Sequence, residues 1–479
     1  MSPQELHPLD ILLNPRSVAV VGASTSDQET GWVARLRNFG YTGKIYPVNP
    51  KATEVYGLKA YASLRDIPDP VDYVIFNIPR RLVPRIMEDC VAKGVKLAHV
   101  FTAGFSEIGD EEGLKLEQQM TAIAKAGGVR VLGPNCMGIY YPKAGLTFNP
   151  DFPKKAGQVA FVSQSGAEAM RFVFLGHSVG IHFSKVISYG NAVDLDAPEL
   201  LEYLTNDDET EAVACYIEGV KDGPRFVRAV RTCLRKKPLV ILKAGLTESG
   251  AGAAASHTAS LAGSKATWEA FFKQTKAIPA ITMDDVADVI QAVVRMRRPR
   301  GRRVALVGRG GGIGVIAADI CERAGLKVPP FHPETREKLS RIIPEAGAGV
   351  RNPVETTLGL GGAADFYERG LGIVDTDPET DLILVHMAVD VYGGHQVDLH
   401  ERVAYAADVL ADKAKSLTKP LAVALYTGGY LDTITAVLKA RDRLTKAGIP
   451  VYPGVEAASR AISKLITYEE VARKYSLAK

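Results

Sequence analysis

No apolar run in the 479-residue chain approaches the roughly 18 residues that a membrane-spanning helix needs. The opening Met1-Ser2-Pro3-Gln4-Glu5 lacks the basic-then-apolar order of a secretory signal. A membrane class is excluded and a cytoplasmic location is expected. Cysteine is scarce: Cys90, Cys136, Cys215, Cys233 and Cys321 are scattered, odd in number and without a CxxC pair, which suits small buried side chains better than zinc or disulfides. An excess of one charge is missing too. The 58 basic residues stand against 54 acidic ones, too even a balance for a chain whose main work is gripping nucleic acid, though compatible with small anionic ligands. The histidines other than His257 show no HxxxH or comparable spacing, so no metal site is expected. Absence of a GxSxG elbow and of a GxxxxGK[ST] loop removes local support for a serine hydrolase or a P-loop NTPase.

What is there is ordinary globular composition, 46% hydrophobic and 23% charged, over a length that suits about three domains. From Ser17 onward, short β-branched runs alternate with glycine turns and longer segments of helical periodicity, the signature of βαβ units. Strands are expected at Ser17 to Gly22, Lys44 to Val48, Tyr73 to Phe76, Leu97 to Phe101 and Arg130 to Leu132. The proline-, glycine- and lysine-rich stretch from Lys143 to Gly157 reads as a boundary. A second series follows at Gln158 to Val162, His182 to Ile187, Ala212 to Ile217 and Leu239 to Leu242, with a helix near Asp284 to Arg295. After the basic linker Arg297 to Arg303, a third series runs through Val304 to Val307, Leu382 to Met387, Pro420 to Leu425 and Ile449 to Tyr452. The expected class is α/β, with three consecutive doubly wound domains at about 1–145, 155–297 and 303–475.

Three strand-to-helix turns are rich in small residues. Val20-Val21-Gly22-Ala23-Ser24 opens the first domain, but the full GxGxxG spacing is missing, and the second strand ends Val48-Asn49-Pro50-Lys51 without the carboxylate that holds an NAD ribose. A nicotinamide dehydrogenase is disfavoured on both counts. A basic end suits a phosphorylated ribose, so Lys51 is a candidate for the 3′-phosphate of coenzyme A and the first turn for its diphosphate; a solvated lysine is the bland alternative. Ser163-Gln164-Ser165-Gly166 and Gly308-Arg309-Gly310-Gly311-Gly312 repeat the device, and each helix N-terminus is a candidate phosphate site or merely tight packing. His257 stands in GAGAAASHTASLAG, residues 250–263, with almost no apolar anchors. A mobile loop is expected there, carrying either a solvated histidine or a nucleophile for a phosphoryl group. Glu218, closing the run Val213 to Ile217, is the candidate carboxylate to fix its tautomer, against the alternative of an ordinary strand-end acid.

Taken in order, the segments from Val20 to Ser24, Tyr46 to Lys51, Thr102 to Glu107, Gly133 to Gly138, Ser163 to Gly166, Tyr216 to Gly219 and Ser256 to Thr258 resemble the NDP-forming acyl-CoA synthetases. The resemblance is to the α subunit of ADP-forming acetate–CoA ligase, and more distantly to that of succinyl-CoA synthetase. It implies a Rossmann-like CoA-binding domain followed by two flavodoxin-like domains. It further implies CoA contacts from Gly22, Ala23, Ser24, Lys51, Pro79, Thr102, Ala103, Gly104 and Asn135, and phosphate contacts from Ser163, Ser165, Gly166, Gly311 and Gly312. By the same resemblance, acyl-CoA and phosphate would give acyl phosphate, which phosphorylates His257 while Glu218 steadies it. ADP with Mg²⁺ would be held by a separate ATP-grasp β subunit in an α₂β₂ assembly, since no such domain is found after Tyr452. Two residues depart from the family pattern: Ala259, where glycine is usual, and Glu168, where an apolar residue is usual. The alternative from another class is a regulatory protein that binds CoA without turnover.

Overall fold

The computed structural model describes residues 7–25, 30–252, 263–343, 349–355, 360–392 and 398–477. The chain forms two compact units, Met1–His177 with His182–Met283, and Ser178–Ile181 with Asp284–Lys479. Among the described residues no helix is long and apolar enough to cross a membrane, and all five cysteines are buried and free.

Runs such as Ser-Val-Ala-Val-Val and Leu-Ile-Leu-Val-His-Met-Ala are buried at every position, the habit of parallel strands covered by helices on both faces. In the first unit, Ser17–Val21 (β1), Lys44–Val48 (β2), Tyr73–Phe76 (β3), Leu97–Val100 (β4) and Arg130–Leu132 (β5) form a parallel sheet in the order β2-β1-β3-β4-β5. A second sheet holds Gly138–Tyr140 (β6), Val159–Ser163 (β7), Phe183–Ser188 (β8), Ala212–Ile217 (β9), Leu239–Lys243 (β10) and Ile278–Ala280 (β11). Its order is β11-β10-β9-β7-β8-β6, parallel except for the antiparallel edge strand β6. Every strand expected from the sequence is present, with ends displaced by one or two residues.

Passage from the first sheet to the second takes only residues 133–137, ahead of the boundary expected at Lys143 to Gly157. The second sheet then reaches back along β5: the N–H groups of Asn191, Val193 and Leu195 donate to the carbonyls of Pro134, Gly133 and Val131 at 3.0–3.2 Å. Arg130 adds a forked pair of bonds to Asp194 and another to Glu199. Bidentate arginine–carboxylate geometry of this kind fixes orientation as well as energy.

The second unit repeats the winding. Val304–Gly308 (β12), Val354–Glu355 (β13), Leu382–Ala388 (β14), Leu421–Tyr426 (β15) and Val451–Tyr452 (β16) run parallel in the order β13-β12-β14-β15-β16. Val307, Val385, Val423 and Val451 lie in its core with Leu371, Leu410 and Leu444 from the covering helices. The helix Met283–Arg295, expected at the end of the second domain, counts with this unit from Asp284 on. Asp285, fully buried, anchors it by ion pairs to Arg460 Nε at 2.8 Å and Lys464 Nζ at 2.7 Å on the helix Val455–Leu477.

Candidate functional site

In a sheet wound 2-1-3-4-5, the connections from the first and third strands leave to opposite sides, and a crevice opens at their carboxyl ends. The first unit has two such crevices, one after β1 and β3 and one after β7 and β9. Gly22 closes β1 with φ +85°, and a Cβ there would lie 2.1 Å from the carbonyl oxygen of Asn77, just after β3. Only glycine fits that approach. The N–H groups of Gly22 and Ala23 both donate to the Val48 carbonyl, at 3.0 and 3.3 Å, so these two donors are spent within the fold. What Gly22, Ala23 and Ser24 present to a ligand is a narrow cleft shared with Gly31, Trp32 and Asn77. Beyond it, Thr25, Arg37, Asn38, Glu54 and Tyr56 line a wider polar recess of about 510 Å³. Asn49 ties the second strand to this turn by donating from Nδ2 to the Ala23 carbonyl at 2.7 Å, and its Oδ1 accepts the N–H of Lys51 at 2.8 Å. Lys51 is thereby held near the turn with its side chain exposed.

Asn77 also lines a second, larger cavity of about 830 Å³, within the range of small-molecule sites. One wall comes from the strand ends of the first sheet: Ile78, Pro79, Phe101, Thr102, Ala103 and Asn135. The facing wall is Gln164 to Glu168, Tyr216, Glu218, Ala244 and Gly245, from the strand ends of the second sheet. Thr102 stitches the first wall, its hydroxyl donating to the Ile78 carbonyl at 2.8 Å, and the Asn135 N–H donates to the Thr102 carbonyl at 3.0 Å. In the second wall, Gln164 Oε1 accepts the N–H groups of Glu218 at 2.9 Å and Gly219 at 3.0 Å. Ser165 caps the helix Gly166–Ser178, its hydroxyl accepting the N–H of Glu168 at 3.3 Å. The first-turn N–H groups of such a helix have no intrahelical acceptor and favour anions.

Two carboxylates, Glu168 and Glu218, line this cavity, and among the described lining residues there is no lysine, arginine or histidine. Cations stand behind them. Arg171 Nη1 lies 3.6 Å from Glu168 Oε2. Lys243, paired in register with Ile217 one residue before Glu218, is 4% exposed. Burial pushes its ammonium pKa down to about 8, against the attraction of Glu218, and the ammonium lies 5.3 Å from the ring centre of Trp268. Tyr216 is raised above its ordinary value by burial first, then by the charge of Glu218 and a hydrogen bond to it. His99 and His386 are buried with pKa values lowered to about 4 by desolvation, so both are neutral packing groups. Among the described residues no group of three or more His, Cys, Asp or Glu is arranged to hold a metal ion.

Of the expected site residues, Pro79, Thr102, Ala103, Asn135, Ser165, Gly166 and Glu218 meet around the larger cavity. Ser163 lies behind its wall, fully buried, with its hydroxyl donating to the Ser165 carbonyl at 2.6 Å. Gly104 is set off from the lining; its N–H donates to Glu107 Oε1 and its carbonyl accepts from Arg80. Gly311 and Gly312 open the helix Gly311–Arg323 in the second unit, with the Glu355 carboxylate closest to Gly311. His257 and Ala259 lie outside the described residues. Sequence reasoning missed Asn77, Gln164 and Lys243. The signal for Lys243 was available, a lone cation ending an apolar strand just ahead of the histidine segment.

A CoA-binding domain family matches residues 16–142, and the succinyl-CoA ligase-like flavodoxin domain family matches residues 156–293. The α subunit of ADP-forming acetate–CoA ligase II from Pyrococcus furiosus is 39% identical over 96% of this chain and 97% of its own length. The chain belongs to the ADP-forming acetate–CoA ligase family, as an α-type member. An ADP-forming acetate–CoA ligase I of Archaeoglobus fulgidus is 36% identical over 97% of this chain, which spans 64% of that protein. Among solved structures, an acetyl-coenzyme A synthetase of Korarchaeum cryptofilum, in complex with phosphate and ADP, is similar with a TM-score of 0.83. It is 34% identical, with 98% of each chain covered. As a ligase of this family, the protein combines a CoA-binding domain with a succinyl-CoA ligase-like flavodoxin domain, and the first unit supplies the cavity where the strand ends of these two meet.

Proposed function

We propose that this chain is the acyl- and phosphoryl-handling subunit of an ADP-forming acyl-CoA synthetase that interconverts acyl-CoA, ADP and phosphate with the free acid, CoA and ATP. The single observation that carries the reading is the cavity lined jointly by first-sheet strand ends, Glu218 and the capped helix start at Ser165 and Gly166.

The cleft at Gly22, Ala23 and Ser24 suits the diphosphate region of CoA sterically, since small side chains let a ligand approach the backbone, and Lys51 supplies charge for the 3′-phosphate. Asn77 lines both cleft and cavity, so the thioester arm would pass it to reach Pro79, Thr102, Ala103 and Asn135; Gly104 shapes that wall from behind. Phosphate would rest on the N–H groups at Ser165 and Gly166, braced by Ser163, and Gly311 with Gly312 form a further helix N-terminus of the same kind. Phosphate oxygen attacks the thioester carbonyl, CoA leaves as the thiol, and acyl phosphate remains. Neutral His257 then takes the phosphoryl group, releasing the carboxylate, and Glu218 holds the other ring nitrogen so that the cationic phosphoimidazole is stabilised. Two carboxylates and, among the described lining residues, no cation favour a cationic over a neutral histidine product. The final transfer to ADP, with Mg²⁺, belongs to an ATP-grasp β subunit in an α₂β₂ assembly in the cytoplasm; relatives named as α subunits support such a partner.

Intact-mass measurement of the purified chain after incubation with phosphate and a panel of acyl-CoAs tests this. One phosphoryl adduct on wild type, absent from His257→Ala, is expected. CoA binding without an adduct from any acyl-CoA or acetyl phosphate replaces the relay with a CoA-binding regulatory role.

A further inference from the structure

Asn135 shares the first wall of the cavity with Thr102 and Ala103, and its backbone is pinned from two sides. Its N–H donates to the Thr102 carbonyl at 3.0 Å, and Gly190 approaches its carbonyl oxygen so closely that a Cβ there would lie 2.4 Å away. Its φ is +57°, a left-handed conformation that asparagine tolerates better than most side chains. Pro134 and Cys136 are buried on either side, whereas Asn135 is half-buried and lines the cavity. A neighbour in the same lining orients its amide. Asn191, 6% exposed, donates from Nδ2 to Glu107 Oε2 at 2.7 Å and to Glu117 Oε2 at 2.9 Å. With its NH₂ group turned to two carboxylates, Asn191 presents Oδ1 to Asn135 Nδ2. That contact measures 3.5 Å, close enough to aim the Asn135 NH₂ group and too long to spend it. Two other hydroxyls of the lining are committed elsewhere, that of Thr102 to the Ile78 carbonyl and that of Tyr216 to Glu218.

We propose that Asn135 is a catalytic residue of the acyl-transfer step, its Nδ2 donating to the thioester carbonyl oxygen as phosphate adds and negative charge gathers there. The inference deepens the relay reading above and rests on it. An oxygen of hydrogen phosphate forms the new bond to the carbonyl carbon, and the C=O π pair moves onto the carbonyl oxygen, where the amide meets it with a hydrogen bond and no proton transfer. As the C=O bond re-forms, the C–S bond breaks, and the proton that hydrogen phosphate carried ends on the CoA sulfur. A donor whose bond strengthens only as this charge develops lowers the barrier without tightening the bound substrate. In the next step the histidine attacks phosphorus, the acyl carbon stays trigonal, and the amide has little to add.

The test separates the two steps. Phosphate-dependent CoA release from acetyl-, propionyl- and butyryl-CoA, and His257 phosphorylation from acetyl phosphate, are measured for wild type, Asn135→Gly and Asn135→Asp, with CoA affinity by calorimetry alongside. Asn135→Gly deletes the amide at a φ that glycine adopts freely, so the backbone is not strained by the change. The kcat of CoA release should fall by about 10²- to 10³-fold, the scale of one lost oxyanion donor, and further in Asn135→Asp, which sets a carboxylate against the growing charge. The KM for acyl-CoA, the CoA affinity and the rate of phosphorylation from acetyl phosphate should each stay within about threefold of wild type, the pattern of an interaction made only in the first transition state. Unchanged CoA release, equal loss of both steps, or a fall in CoA affinity large enough to account for the lost rate overturns the role of Asn135 alone. Wild type that releases no CoA from any of the three thioesters overturns the relay reading itself.

Discussion

The side-chain oxygen of Gln164 holds the backbone of Glu218 in place, accepting its N–H at 2.9 Å and that of Gly219 at 3.0 Å. Gln164 in turn donates its own N–H to the Tyr216 carbonyl at 3.1 Å, so the ends of β7 and β9 are locked together at the crevice. A buried amide thus brackets the carboxylate proposed to orient the histidine.

Gln164→Leu removes one acceptor and strands two N–H groups, a cost of about 2 kcal/mol or more. Phosphorylation of the chain should fall by roughly 10- to 100-fold, because Glu218 would lose its alignment. Gln164→Glu, which keeps the acceptor, should recover most of the rate. Equal loss in both variants, read by quenched-flow measurement of the phosphoryl adduct formed from acetyl phosphate, would remove the bracket from the explanation.

Gly22→Ala forces a Cβ against the Asn77 carbonyl at a positive φ. Strain alone costs about 1–3 kcal/mol, and the collision adds to it. CoA affinity by calorimetry should drop at least tenfold, with a lower melting temperature; unchanged CoA binding would place the CoA site elsewhere.

Lys243 is held at a pKa of about 8, below the ordinary 10.5. The unfolded chain therefore binds more protons between those values, so stability rises as pH climbs from about 8 to 10.5 and is lost as pH falls through 8. Lys243→Met should be the more resistant protein to urea at pH 7, by no more than roughly 3 kcal/mol. That advantage should shrink by pH 10, and a constant difference would contradict it.

In the second unit, burial raises Asp288 from 3.8 to about 7, opposed by Arg460 and reinforced by Asp285 and Asp284. Here the folded state binds the extra proton, so the contribution is complete below about 3.8 and lost as pH rises through 7. Asp288→Asn should raise the denaturant midpoint of this unit at pH 8 and do little at pH 4, with a ceiling of about 4 kcal/mol.

Much of this architecture was legible because parallel strands buried on both faces write themselves as uninterrupted apolar runs, as Leu239 to Leu242 does. Glu218 was legible as the charge that ends such a run. Short edge strands were not: Gly138–Tyr140, Ile278–Ala280 and Val354–Glu355 are too brief for periodicity, and only their neighbours make them strands. Gln164 and Asn77 owe their roles to strand order, which places residues 54 positions apart within one hydrogen bond. Glycine and serine at a turn also promised backbone donors to a ligand, but those of Gly22 and Ala23 are claimed by Val48, a crossover contact that no local pattern announces.

The crossing at residues 133–137, with the stretch around Asn191 to Leu195 bonded back along β5, changes how the first unit can move. Two lobes on a tether would open by swinging apart. These two sheets share a seam instead, so a protease cut anywhere from 143 to 157 should leave a nicked but undivided unit, and substrates must enter a vestibule whose walls keep their spacing.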